Sequence, residues 1–239
     1  MEITEFMSMK LGLLIDLAVI GIIAFCTWRG YRNGLIRGAF GLVALVAALF
    51  IANISAKAYS EEFTDMLKPF VGGIVESKLL DIVEEEGDIG AINSKSEYQR
   101  ANVAYSILKR IGLPEVSAER VAGLAAQTEE PETIYTDIIT DKLCSVLAFV
   151  AVFGIGFLLL SIVFAVIGNL IGFVFSLPGL KLIDIITGVM LGFCKGLLIV
   201  FAIATVVRYF GLVASSTLEE SRILQYFVNN NIVADKLGL

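Results

Sequence analysis

Histidine does not occur anywhere in the 239 residues. Its absence removes the commonest general base, the usual catalytic triads and most zinc sites. Cysteine is scarce. Cys26, Cys144 and Cys194 each stand in an apolar run with no second cysteine nearby. That spacing offers neither a disulfide framework nor paired metal ligands, and it reads as small buried hydrophobes. No phosphate loop, nucleophile elbow, dinucleotide fingerprint or aromatic–basic patch is present. An enzyme is therefore not expected, and neither a cofactor nor a resident metal is called for. Charge is sparse too, at 18% of residues against 57% hydrophobic. Soluble domains carry roughly a quarter charged and about half apolar residues. The formal net charge of −6 argues against nucleic acid as a partner.

What is abundant is uncharged apolar sequence in long runs, which need hydrocarbon around them. The first run, Leu11 to Trp28, is broken only by Asp16. Eighteen helical residues rise about 27 Å, enough to cross the hydrocarbon core. Acids at Glu2 and Glu5 precede the run and Arg29-Gly30-Tyr31-Arg32 follows it. That order fits a permanent anchor rather than a cleaved signal. The second run is Gly38 to Ile54. The short connection between the two holds Arg29, Arg32 and Arg37 and no acid. Three arginines in a tight loop are a positive-inside signal, placing the loop in the cytoplasm and the N-terminus outside.

Between Lys57 and Lys142 there are 17 acids against 9 bases, so this segment is expected to face water. Its apolar residues recur at helical spacing, with too few large ones for a strong core of its own. Ser94 and Glu97 read as a capping box opening a helix towards Ile111. Gly112 and Pro114 should end it, and a short helix is expected from Glu115 to Gln127. Thr128-Glu129-Glu130-Pro131 reads as a turn. The acidic run Glu84-Glu85-Glu86-Gly87-Asp88 does not fit a calcium loop and reads as solvated surface.

The third run, Leu143 to Leu177, would be about 52 Å long as one helix. Either such a helix tilts and projects into water, or it breaks near Gly168-Asn169, which is the preferred expectation, with Pro178-Gly179 as the following turn. The fourth run, Ile185 to Val207, carries Lys195 and ends at Arg208. The tail should form one amphipathic helix, Thr217 to Val228, with Ser216 and Glu219 as its capping box, ended by Asn229-Asn230-Asn231.

The expectation is an all-α polytopic membrane protein with four transmembrane helices. Residues 1–10 are an extracytoplasmic N-terminus, and 11–54 the first helix pair with its basic turn. Residues 55–142 are an acidic helical extracytoplasmic segment, 143–207 the second helix pair, and 208–239 an extracytoplasmic tail.

Two ionisable residues interrupt the spans. Asp16 lies about 20 Å from the Arg29 edge and Lys195 about 17 Å from the Asp184 edge. Matching depths suggest an Asp16–Lys195 ion pair between the first and fourth spans. The alternatives are an interfacial Asp16 with a snorkelling Lys195, or a proton or ion relay. Gly30, Gly34 and Gly38 recur every four residues, as do Gly188, Gly192 and Gly196. Such stripes let helix backbones approach closely, within one chain or between copies in a homo-oligomer.

Three of these features together resemble the CvpA family, the colicin V production proteins of bacterial inner membranes. They are Asp16 early in the first span, the connection Arg29-Gly30-Tyr31-Arg32-Asn33-Gly34-Leu35-Ile36-Arg37, and the stretch from Leu182 to Gly196. The resemblance implies a multi-pass inner-membrane protein needed for making or exporting a peptide toxin, and envelope maintenance more broadly. It implies no known reaction. Two function classes stay open. One is a scaffold or assembly factor with unknown membrane or periplasmic protein partners. The other is a conduit for a small solute, peptide or ion. The spans offer few polar groups beyond Asp16, Lys195 and Asn169, which favours the scaffold.

Overall fold

In the computed structural model, residue 1 and segments 87–95, 129–134, 172–180, 211–212, 214 and 238–239 fall outside the described residues. Every regular element among the described residues is an α-helix. Glu2–Glu86 is helical save at Gly34, whose φ of 70° and ψ of −172° turn the chain. This divides it into α1 (residues 2–33) and α2 (residues 35–86). Glycine is required there because a side chain disfavours that backbone region. Then come α3 (Glu97–Ile111), α4 (Glu115–Ala126), α5 (Tyr135–Ile171), α6 (Lys181–Phe210), α7 (Ser215–Glu220), α8 (Arg222–Asn229) and α9 (Ile232–Leu237). Among the described residues, three helical stretches are long and apolar enough to cross a membrane: Met9–Lys78, Thr136–Gly168 and Ile183–Phe210. The first of them contains the turn at Gly34.

The chain forms two compact units. Unit 1 comprises Met1–Ser55, Val152–Val206 and Ser216–Gly238; unit 2 is Ala56–Ala151 with Val207–Ser215. In unit 1, α1 and α6 run antiparallel in backbone contact. Built onto Gly188, a Cβ would lie 2.5 Å from the Gly30 carbonyl oxygen, and onto Gly192, 2.5 Å from that of Cys26. Farther along, a Cβ on Gly196 would meet the Ile23 Cα at 3.0 Å. On α5, Gly156 faces Ala52 and Gly168 receives the Phe40 ring of α2. Large apolar side chains such as Leu13, Leu17, Val43, Phe50, Ile155 and Leu158 face outward from this unit, as hydrocarbon-facing positions do.

Unit 2 is built around side chains. Val71 and Val75 of α2, Ile107 and Leu108 of α3, Val121 of α4, and Ile139 and Leu143 of α5 form one buried core. The core draws on α5 beyond the polar segment, down to Leu143 and Cys144. The segment, expected to hold too few large apolar residues for a strong core of its own, thus shares a core that α5 completes. Gly112, at φ 102°, ends α3 in the left-handed conformation. Leu113 N–H donates to Leu108 O at 3.1 Å and Gly112 N–H to Lys109 O at 3.0 Å, the doubled bond pattern of a Schellman stop. Pro114 then opens α4.

Four local expectations are corrected. The cap of α3 is Ser96, not Ser94, which is outside the described residues. The Ser96 N–H donates to the Gln99 Oε1 at 3.3 Å. Helix α5 passes unbroken through Gly168 and Asn169 to Ile171, because Gly168 serves to admit the Phe40 ring rather than to bend the backbone. The tail is not one helix but α7, α8 and α9, divided at Ser221 and Asn231. Helix α6 begins at Lys181, earlier than the apolar run suggests. Pro178-Gly179, most of the Thr128–Pro131 turn, and Gly87 and Asp88 of the acidic run lie outside the described residues.

Candidate functional site

Asp16 sits on α1 opposite the start of α8. Its Oδ1 accepts from the Ser221 hydroxyl at 2.5 Å, the Ile223 N–H at 3.1 Å and the Leu224 N–H at 3.3 Å. Ser221 occupies the N-cap position of α8 but makes no cap bond to its own helix. The carboxylate of another helix takes that place. It satisfies two N–H groups that the helix start leaves open, and its charge suits the positive end of the helix.

The structure does not join Asp16 to Lys195. In the antiparallel α1–α6 register, Gly196 lies against Ile23 and Gly192 against Cys26. Carried along, that register sets Asp16 level with roughly residue 203, about 12 Å along the axis from Lys195. Equal depths measured from two helix ends do not fix register; the glycine contacts do.

A second carboxylate does the same work at the other end of unit 1. Asp184, in the first turn of α6, accepts from the Leu35 N–H at 2.6 Å. A side chain on Gly34 would collide with this carboxylate. The turn thus needs glycine for conformation and for space. Asp184, Ser221 and Asn231 are the residues that sequence reasoning missed. Asn231 is fully buried. Its Nδ2 donates to the Phe201 carbonyl and the Thr205 hydroxyl, both at 3.1 Å, while its Oδ1 caps α9 at Val233 and Ala234. With the Phe201–Phe227 edge contact at 4.8 Å, it pins the tail to α6. The asparagine run is visible in the sequence, but its distant partners are not.

Between α1, α2, α5 and α6 of unit 1 lies a cavity of about 250 Å³. Arg29, Arg37 and Lys195 line it, with Asn33 and Ser161, and no Asp or Glu is among its lining residues. The remainder is largely aromatic and aliphatic, including Phe25, Phe40 and Phe164. The three cations come from three helices, and the turn at Gly34 is what draws Arg29 and Arg37 together. Gly41 gives Lys195 its room: a Cβ there would stand 3.3 Å from Nζ. Arg32 points elsewhere, with its guanidinium 5.5 Å from the Trp28 ring centroid, within cation–π range. The Ser161 hydroxyl oxygen is buried and has no hydrogen-bond partner.

Of the six stripe glycines, Gly30, Gly188, Gly192 and Gly196 lie on the α1–α6 contact. Gly34 is the turn, and Gly38 faces Leu191. Among the described residues no group of three or more His, Cys, Asp or Glu side chains could hold a metal. The arrangement supplies hydrogen-bond donors and positive charge facing a half-apolar hollow, chemistry that suits an anion.

A family model described as colicin V production protein matches residues 15–84 and 118–232. No curated protein and no solved structure matches.

Proposed function

The chain belongs to the colicin V production protein family, and on that premise we propose a four-span protein of the bacterial inner membrane. It acts as a scaffold or assembly factor in toxin production or export and in envelope maintenance. The turn at Gly34 supports four crossings, since it separates two apolar lengths within Met9–Lys78. Arg29, Arg32 and Arg37 at that turn support a cytoplasmic loop with both termini outside.

One observation carries the scaffold reading. Within unit 2, α2 has two apolar stripes offset by one residue. Leu67, Val71 and Val75 turn into the core. Tyr59, Phe63, Met66, Phe70 and Ile74 stay exposed, Phe70 at 73%. Spacings of four, three, four and four keep them on one helical face. A bare stripe of large side chains beside a filled core is how a helix meets an apolar partner helix.

The alternative is an oligomeric channel or transporter for a small solute, peptide or ion. The cation-lined cavity of unit 1 favours it.

A photo-crosslinking residue at Met66, used in native membranes, tests the scaffold. The expected result is a discrete adduct with a different protein, lost in Phe70→Glu while that variant still inserts and folds. An adduct with a second copy alone would shift the work to flux assays in liposomes, with Asp16→Asn as the first variant. Adducts with lipid alone would overturn the scaffold.

A further inference from the structure

We propose that the cavity of unit 1 is a binding site for a phosphate group, carried by an anionic phospholipid headgroup or present as free phosphate. The inference stands independently of the scaffold reading. It starts from an imbalance of charge. Arg29 and Lys195 line one hollow, and neither is ion-paired with a carboxylate among the described residues. The nearby Asp184 is occupied at the start of α2, where it accepts from the Leu35 N–H. Two cations lining one hollow repel, and a bound anion converts that repulsion into attraction.

The donors match phosphate in kind. A guanidinium presents a planar fork to two phosphate oxygens, and an ammonium adds a compact point charge. Asn33 and Ser161 add neutral donors on the same lining. The Ser161 hydroxyl is the second, independent sign. It is buried without a partner, although serine in an apolar helix ordinarily bonds the carbonyl four residues back. A buried hydroxyl left open costs free energy unless a ligand or water completes it.

Size and polarity narrow the ligand further. About 250 Å³ is below the range of about 300–1,000 Å³ that encloses drug-sized molecules. The space therefore suits a headgroup or small anion rather than a bulky solute. Phe25, Phe40 and Phe164 give the rest of the hollow an apolar wall, against which an acyl chain would lie. Basic pockets between membrane helices on the cytoplasmic side recognise anionic headgroups by this combination.

Native mass spectrometry of the full chain in detergent tests this. Three probes are titrated: phosphatidylglycerol, phosphatidylcholine with the same acyl chains, and inorganic phosphate. Phosphatidylglycerol is expected to bind about tenfold tighter than phosphatidylcholine, a difference of about 1.4 kcal/mol. Lys195→Met and Arg29→Gln should each weaken it at least about fivefold, and Lys195→Arg should retain most of the affinity. Lys236→Met, on the exposed face of α9, is the control and should change nothing.

Phosphate binding that is lost in the same variants, with no preference between the two lipids, would assign the site to free phosphate. The inference is overturned if both lipids bind alike and phosphate does not bind. It is overturned equally if Lys195→Met and Arg29→Gln bind as the unaltered chain does. Arg29 is exposed, so its substitution leaves the helix contacts intact and keeps the test readable even if Lys195→Met fails to fold.

Discussion

At the α1–α6 crossing of unit 1, a methyl group on Gly30, Gly188 or Gly192 would strike backbone atoms. In unit 2 the meeting residues are Ile107, Leu108, Val121, Ile139 and Leu143. On the proposed arrangement, with unit 1 in the bilayer and unit 2 in water, the contrast follows from solvent. In water, burying side-chain area drives helices together. In hydrocarbon that drive is absent, so association relies on close backbone approach and on polar bonds between helices. Unit 1 uses both, with a glycine seam along α1 and α6 and a carboxylate cap at each end, Asp184 on the turn and Asp16 on the tail. Unit 2 also contains glycine, but Gly123 on α4 faces open space. The same residue type therefore plays opposite parts in the two units.

A pair of single-methyl substitutions tests this directly, and it is the largest effect expected. Gly192→Ala forces α1 from α6 and should cost about 1–3 kcal/mol, in the range of overpacked cores. Gly123→Ala should stabilise by about 0.5–1 kcal/mol, since the helix gains propensity and meets nothing. Thermal unfolding of the two variants in the same detergent measures both signs. Equal effects would mean that the seam is not under compression and that the contrast between units is false.

How much of this was legible in the sequence divides along the same line. Glycines spaced by four and the Gly112–Pro114 stop announce themselves locally, because each rule involves residues within one turn of each other. The Asp16–Lys195 pair was misread because depth from two helix ends carries no register. Register comes from Gly188 against Gly30, a contact between residues far apart in sequence. The cap of α3 failed more narrowly. Ser94 with Glu97 and Ser96 with Gln99 both satisfy the pattern, and only the fold selects the second. The division of the tail at Ser221 was hidden because its open N–H groups go to Asp16, a residue some two hundred positions earlier.

Asp16 gives the next prediction, smaller in free energy but sharper in location. Asp16→Ala removes the acceptor for two helix-start N–H groups and a buried serine hydroxyl, at a cost of about 1–3 kcal/mol. Amide hydrogen exchange at Ile223 and Leu224 should quicken, while unit 2 keeps its protection. Asp16→Asn retains an oxygen acceptor and should cost less. Lys195→Met should leave exchange in the tail unchanged. Quickened tail exchange in Lys195→Met would restore the ion pair that the register excludes.

The weakest expected effect belongs to an exposed ion pair of unit 2. Lys68 of α2 bridges Asp141 of α5 at 2.8 Å and Asp65 at 3.0 Å. The bonds to Asp141 and then Asp65 push its pKa well above the ordinary lysine range. A raised pKa means the folded state holds this proton more tightly. The stabilisation is therefore complete below the unfolded lysine pKa of about 10.4 and fades as pH rises beyond it. Solvent screens the pair, so Lys68→Met should cost under about 1 kcal/mol and less still in high salt. A loss above 2 kcal/mol, insensitive to salt, would mean that unit 2 relies on polar joints as unit 1 does, and the contrast between side-chain core and capped seam would fail there.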